Sequence, residues 1–181
     1  MKNFYKLSAL ALTLAVVSCS KDDDEPEHVH EHEVMTTMNV TLTSSSGNVT
    51  LSFQDLDIDG PNPPSISVSG NLSSETLYMG SIEILNETET PPENVTTEII
   101  EENDEHQFFF TLSSGLEVDI STTDSDSNGN PLGQQFNLQT HSPGSGTLTI
   151  TLIHEPNKPN SGLSSAGGAT DIEVTFNLVV E

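Results

Sequence analysis

From residue 34 onward, apolar and polar residues alternate in short runs. The clearest is Thr147-Leu148-Thr149-Ile150-Thr151-Leu152. A period of two puts the aliphatic side chains on one face of a strand and the threonines on the other. Runs of this kind predict strands at 36–43, 49–55, 65–69, 80–85, 107–112, 117–121, 134–139, 146–153 and 171–180. The residues between them are turn formers: Ser46-Gly47-Asn48, Asp59-Gly60-Pro61, Pro91-Pro92, Ser114-Gly115, Asn128-Gly129-Asn130-Pro131 and Pro143-Gly144. No long stretch keeps an apolar period of 3.6 residues, so helices are expected to be few. The pattern predicts an all-β chain, an antiparallel sandwich or barrel of about eight to nine strands.

The two halves of this region resemble each other. Val40-Thr41-Leu42-Thr43 and a serine-glycine turn match Phe110-Thr111-Leu112-Ser113 and a second such turn. A strand follows each, then an aspartate-rich loop: Asp55-Leu56-Asp57-Ile58-Asp59-Gly60 or Asp124-Ser125-Asp126-Ser127-Asn128-Gly129. After a second strand come Gly80-Ser81-Ile82-Glu83-Ile84-Leu85 and Gly146-Thr147-Leu148-Thr149-Ile150, each followed by a proline-broken loop, at 86–94 and 154–160. This predicts an internal duplication of two four-stranded halves, about 36–95 and 107–180.

The N-terminus reads differently. Lys2 and Lys6 precede an apolar run at 7–17, too short to span a bilayer as a helix and suited to the core of a signal peptide. The run ends in Val16-Val17-Ser18-Cys19, which resembles a bacterial lipobox, and Cys19 is the chain's one cysteine. The organisation expected is a signal peptide at 1–18, a lipidated acidic and histidine-rich tether at 19–33, and a β domain at 34–181. Ser20-Lys21-Asp22-Asp23-Asp24-Glu25 resembles the export tag of surface-displayed lipoproteins, which places the chain on the outer membrane, facing the cell surface or, alternatively, in the periplasmic leaflet. Lipid chains contribute about 0.8 kcal/mol per buried CH₂, so two or three hold a small protein stably.

Charge narrows the partners. The chain has 28 acidic residues against four lysines and arginines, a formal net charge of -24. Removing the signal leaves only Lys21 and Lys158 as basic residues. Nucleic acid is excluded, because phosphate contacts need lysine and arginine, and cations are the natural small partners. With Cys19 lipidated there is no disulfide and no thiol nucleophile. The sequence holds no glycine-rich phosphate loop, no Gly-x-Ser-x-Gly and no His-Glu-x-x-His, and its carboxylate pairs are too many to single one out. An enzyme is not expected.

Three groups of residues suit a metal. In Glu27-His28-Val29-His30-Glu31-His32-Glu33, an extended chain puts His28, His30 and His32 in one row and Glu27, Glu31 and Glu33 in the other. Imidazole with carboxylate suits Zn²⁺ or Cu²⁺, and also Ni²⁺; the plain alternative is a solvated tail. The aspartate loops, with Asp55, Asp57 and Asp59 in one and Asp124, Asp126 and Asn128 in the other, cluster oxygens as a Ca²⁺ turn does. Ile66 and Gln135 stand where a complete EF-hand loop needs glutamate, and a plain turn explains the same residues. The third group is the acidic stretch 98–106, ending in His106, with His141, His154 and Glu155.

The lipobox, the 27–33 run, Asn86-Glu87-Thr88-Glu89, Asp104-Glu105-His106-Gln107-Phe108-Phe109 and His154-Glu155-Pro156-Asn157-Lys158-Pro159-Asn160 together resemble small His/Glu-rich outer-membrane lipoproteins of Bacteroidota. That group carries the label "type 1 periplasmic binding fold superfamily protein". The resemblance covers nearly the whole chain and implies a setting beside a TonB-dependent outer-membrane receptor. The fold in the label alternates strands and helices, unlike the strand pattern here. Two readings follow: a metal-binding accessory to metal uptake, or a structural, adhesive or ligand-binding module, Ca²⁺-stiffened, whose His-rich leader is only a tether.

Overall fold

The computed structural model describes residues 33–58 and 60–181. In chain order these form β1 (Thr37–Ser44), β2 (Gly47–Gln54), β3 (Ser65–Val68), β4 (Leu77–Leu85), α1 (Val95–Glu101), β5 (His106–Leu112), β6 (Val118–Thr122), β7 (Gln135–Thr140), β8 (Gly144–His154), α2 (Leu163–Ala166) and β9 (Ala169–Val180). Every strand pairing is antiparallel. One sheet has six strands in the order β3-β2-β1-β4-β7-β6, and the other has three in the order β5-β8-β9. The architecture is the sandwich rather than the barrel, and all nine expected strands are present, with ends moved by a few residues.

The alternation sets the core. In β9, Ile172, Val174, Phe176, Leu178 and Val180 are buried while the residues between them face out. They join Leu148, Ile150 and Leu152 of β8, and Met38, Val40, Leu42, Ile82, Ile84, Phe136 and Leu138 of the six-stranded sheet, in one core. Fully burying such a side chain contributes about 1.5–3 kcal/mol.

The element order repeats: four strands and a short helix, twice, followed by β9. β1 pairs with β4 as β5 pairs with β8, and β2 pairs with β3 as β6 pairs with β7. The correspondence stops at the hairpin. β1 and β2 pair along their whole length, from Thr37 opposite Gln54 to Ser44 opposite Gly47. β5 and β6 lie in different sheets.

Helix α1 is brief because only Val95, Thr96 and Ile99 turn inward. Thr96 fastens it to β4: its hydroxyl accepts from Ile84 N–H at 2.7 Å and reaches Ile84 C=O at 3.2 Å. The chain then turns through Glu102 into His106, the first residue of β5. That turn closes one end of the three-stranded sheet.

Candidate metal centre

His106 opens β5 and His154 ends β8, and the two face each other in the register. His106 shares the inward side of β5 with Phe108 and Phe110, since residues two apart in a strand point the same way. The two imidazoles stack with centroids 4.7 Å apart and planes 21° apart. A bulge brings in a third residue that could ligate. Leu152 pairs with Ile172 but Ile153 pairs with Thr170, so Asp171 is an extra residue on β9. Bulges re-aim side chains. Asp171 Oδ2 lies 3.8 Å from His106 Nε2, and its Oδ1 lies 3.8 Å from His154 Nδ1. The side chains of His106 and Asp171 are 1% and 8% exposed.

The turn after α1 fixes the tautomer of His106. Its Nδ1 is 3.2 Å from the carbonyl oxygen of Glu102. A carbonyl only accepts, so Nδ1 carries the hydrogen and the neutral ring holds its lone pair on Nε2. Burial pushes the pKa of His106 down, favouring that neutral form. Nε2 is buried and has no hydrogen-bond partner among the described residues. A buried acceptor left unmade costs free energy, whereas a backbone carbonyl holding the far nitrogen is the usual way a metal-ligating histidine is oriented.

Carboxylates surround this pair. Ligand atoms of Glu33, Glu102 and His106 lie within 4.8 Å of one another, as do those of Glu105, His154 and Glu155 and those of His106, His154 and Asp171. Glu105 Oε2 is 3.8 Å from His154 Nε2. Burial, then the charges of Glu98, Asp171, Glu102 and Glu93, raises the pKa of Glu33 to about 7. This predicts a pH effect in metal-free protein. The folded state holds a proton on Glu33 that the unfolded state releases near pH 4.5, so stability falls as pH rises from about 4.5 to 7 and levels off above. In EDTA, Glu33→Gln should raise the melting temperature at pH 8 and leave it unchanged at pH 4. An equal gain at both pH values would contradict this.

The sequence-derived candidates divide. Cys19, Glu27, His28, His30, Glu31, His32 and Asp59 lie outside the described residues. Glu33 is described and belongs to the cluster, as do His106, His154 and Glu155. His141 is elsewhere, on the surface with its Nε2 2.9 Å from Asp119. Asp171 was missed. It reads in sequence as the first outward residue of an alternating strand, and a bulge leaves no mark in that alternation.

The second aspartate loop is knitted to itself. Asp124 accepts from Gly133 N–H and Gln135 N–H. Asp126 Oδ1 accepts from Asn128 N–H and Asn130 N–H, and Asp126 Oδ2 accepts from Lys158 Nζ at 3.2 Å. Lys158 also donates to the carbonyls of Asn103 and His106, at 2.7 and 2.6 Å, pinning this loop beneath the start of β5. An ammonium thus stands at Asp126, where a Ca²⁺ turn would hold its ion. In the first loop Asp57 accepts from Asn62 N–H and Nδ2–H. The Asp126–Asn128 bond is that of an Asx turn.

Comparison with protein families, with curated proteins and with solved structures finds no match for this chain.

Proposed function

We propose that this chain captures a divalent transition-metal ion, Zn²⁺ or Cu²⁺, as a lipid-anchored accessory to metal uptake at the outer membrane. The observation that carries the proposal is His106 Nε2: a buried lone pair on a ring oriented by a backbone carbonyl, with Asp171 beside it, His154 stacked on the ring, and Glu33 in the same residue cluster. Two imidazoles among carboxylates suit zinc, copper or nickel, whereas Ca²⁺ and Mg²⁺ take oxygen ligands only. The surrounding negative charge lowers the cost of holding a dication and favours its approach.

The leader belongs to the same proposal. Glu33 sits in the cluster, and His32, His30 and His28 follow from it along the chain. At about 3.3–3.6 Å per residue they reach no farther than roughly 18 Å from Glu33, so their local concentration at the site is high. In this reading the leader gathers ions and the folded centre holds them. Cys19 fixes the assembly to the membrane, beside a TonB-dependent receptor.

The test is a calorimetric titration of residues 19–181, without lipid, with Zn²⁺, Cu²⁺, Ni²⁺ and Ca²⁺. A variant with His28, His30 and His32 all replaced by Ala should keep the tightest transition-metal site and lose only weaker ones. Ca²⁺ should not compete. Loss of all binding in that variant would move the site from the folded centre to the leader.

A further inference from the structure

We propose that the seam between β5 and β6 is a docking site for one extended, basic polypeptide strand, which pairs with both edges at once. β5 is the edge of the three-stranded sheet and β6 the edge of the six-stranded sheet. They part at the 113–117 connection and enclose a cavity of about 570 Å³, lined by Phe108, Phe110, Leu112, Val118, Ile120 and Thr122 among others. In the first half of the chain the corresponding strands, β1 and β2, pair directly. In the second half a cavity takes the place of that pairing.

The backbone groups along the seam follow from strand alternation. Ser113 N–H donates to Thr147 C=O, in line with the β5–β8 ladder, while Phe108 N–H turns the other way, to Leu132 C=O. Antiparallel pairs alternate, so Gln107, Phe109 and Thr111 bond to β8 and Phe110 and Leu112 point their amide groups into the seam. On the other side, Thr123 N–H donates to Gln135 C=O and His141 N–H to Glu117 C=O. Ser121 and Asp119 therefore bond to β7, and Val118, Ile120 and Thr122 point theirs into the seam. Two rows of donors and acceptors thus face one space, and among the described residues no strand pairs with either. Natural sheets shield such edges; an added strand would satisfy both. The Leu132–Gly133 backbone closes the far end against Phe108, which limits the insert to about four or five residues at 3.4 Å each.

The floor is apolar. Phe110, Leu112 and Ile120 are partly buried and pack on the core, with the Phe110 ring 4.6 Å from that of Phe136. An inserted strand would set alternate side chains on this floor and the others outward. Charge selects the occupant. The chain carries 28 acidic against four basic residues, and Asp119, 83% exposed and bonded through Oδ2 to His141, stands at the rim. A second copy of this chain would be repelled, whereas a strand alternating apolar and cationic residues would be drawn in.

The test uses the mature protein and three capped hexapeptides: alternating Val and Lys, alternating Val and Glu, and the Val-Lys peptide with every second amide N-methylated. Fluorescence anisotropy gives affinity, and amide hydrogen exchange by NMR locates it. The Val-Lys peptide should bind, more weakly as salt rises, and should protect the amides of Phe110, Ile120 and Thr122. The Val-Glu and N-methylated peptides should bind at least about tenfold more weakly. Equal binding of the N-methylated peptide, protection elsewhere, no binding at millimolar peptide in low salt, or self-association that protects these amides without peptide would each overturn the proposal.

Discussion

Replacing His106 by Ala is expected to abolish tight zinc binding while leaving the β-sandwich folded. Nε2 of this residue is a candidate ligand atom whose tautomer, orientation and burial are fixed in the metal-free fold, by the Glu102 carbonyl and the core side of β5. Removing an outer-shell partner of a metal ligand usually costs 10–100-fold in affinity, so loss of the ligand itself should cost about 100-fold or more. The effect is readable as stability. An ion that binds only the folded state, present at 100 times its dissociation constant, stabilises by about 2.7 kcal/mol. Native protein should show this gain when Zn²⁺ replaces EDTA, and His106→Ala, measured against its own metal-free baseline, should show almost none. The same gain in both proteins would place the ion elsewhere.

The largest change in metal-free stability is expected where the two sequence halves meet in the six-stranded sheet. Gly80 of β4 stands opposite Phe136 of β7, and the Phe136 ring, 1% exposed, covers the glycine. A Cβ on residue 80 would fall 2.3 Å from that ring, so the close approach itself requires glycine. Phe136→Ala leaves a cavity and should cost about 3–5 kcal/mol, a fall in melting temperature on the order of 10 °C. Gly80→Ala overpacks the same spot and should cost about 1–3 kcal/mol. The two should not add, because the truncated side chain makes room for the new methyl group. Urea denaturation of both single variants and the double would show this; a double-variant cost equal to the sum would contradict the packing described.

The strands were legible because a period of two is local. Residues 147–152 and 171–180 announce their buried faces without reference to the rest of the chain. What the sequence left open was pairing. Whether β5 joins β6, as β1 joins β2, is decided by contacts between distant segments, and it separates a closed hairpin from an open seam. Helix α1 escaped notice because seven residues with three inward positions are too few to show a helical period. At the proposed metal centre, His106 and His154 could be named from residue type, but Asp171 depends on a bulge and Glu33 on the fold bringing residue 33 to the start of β5. Lys158 and Asp126, 32 residues apart, gave no sign of pairing.

The most direct test of the metal centre is an anomalous difference map, collected at the zinc edge, from crystals of the mature protein grown with one equivalent of Zn²⁺. The structure predicts one strong peak bonded to His106 Nε2 at about 2.0–2.1 Å, with His154, Asp171 or Glu33 completing the coordination. A well-ordered His106 with no peak beside it, and the zinc held by other residues, would contradict the assignment.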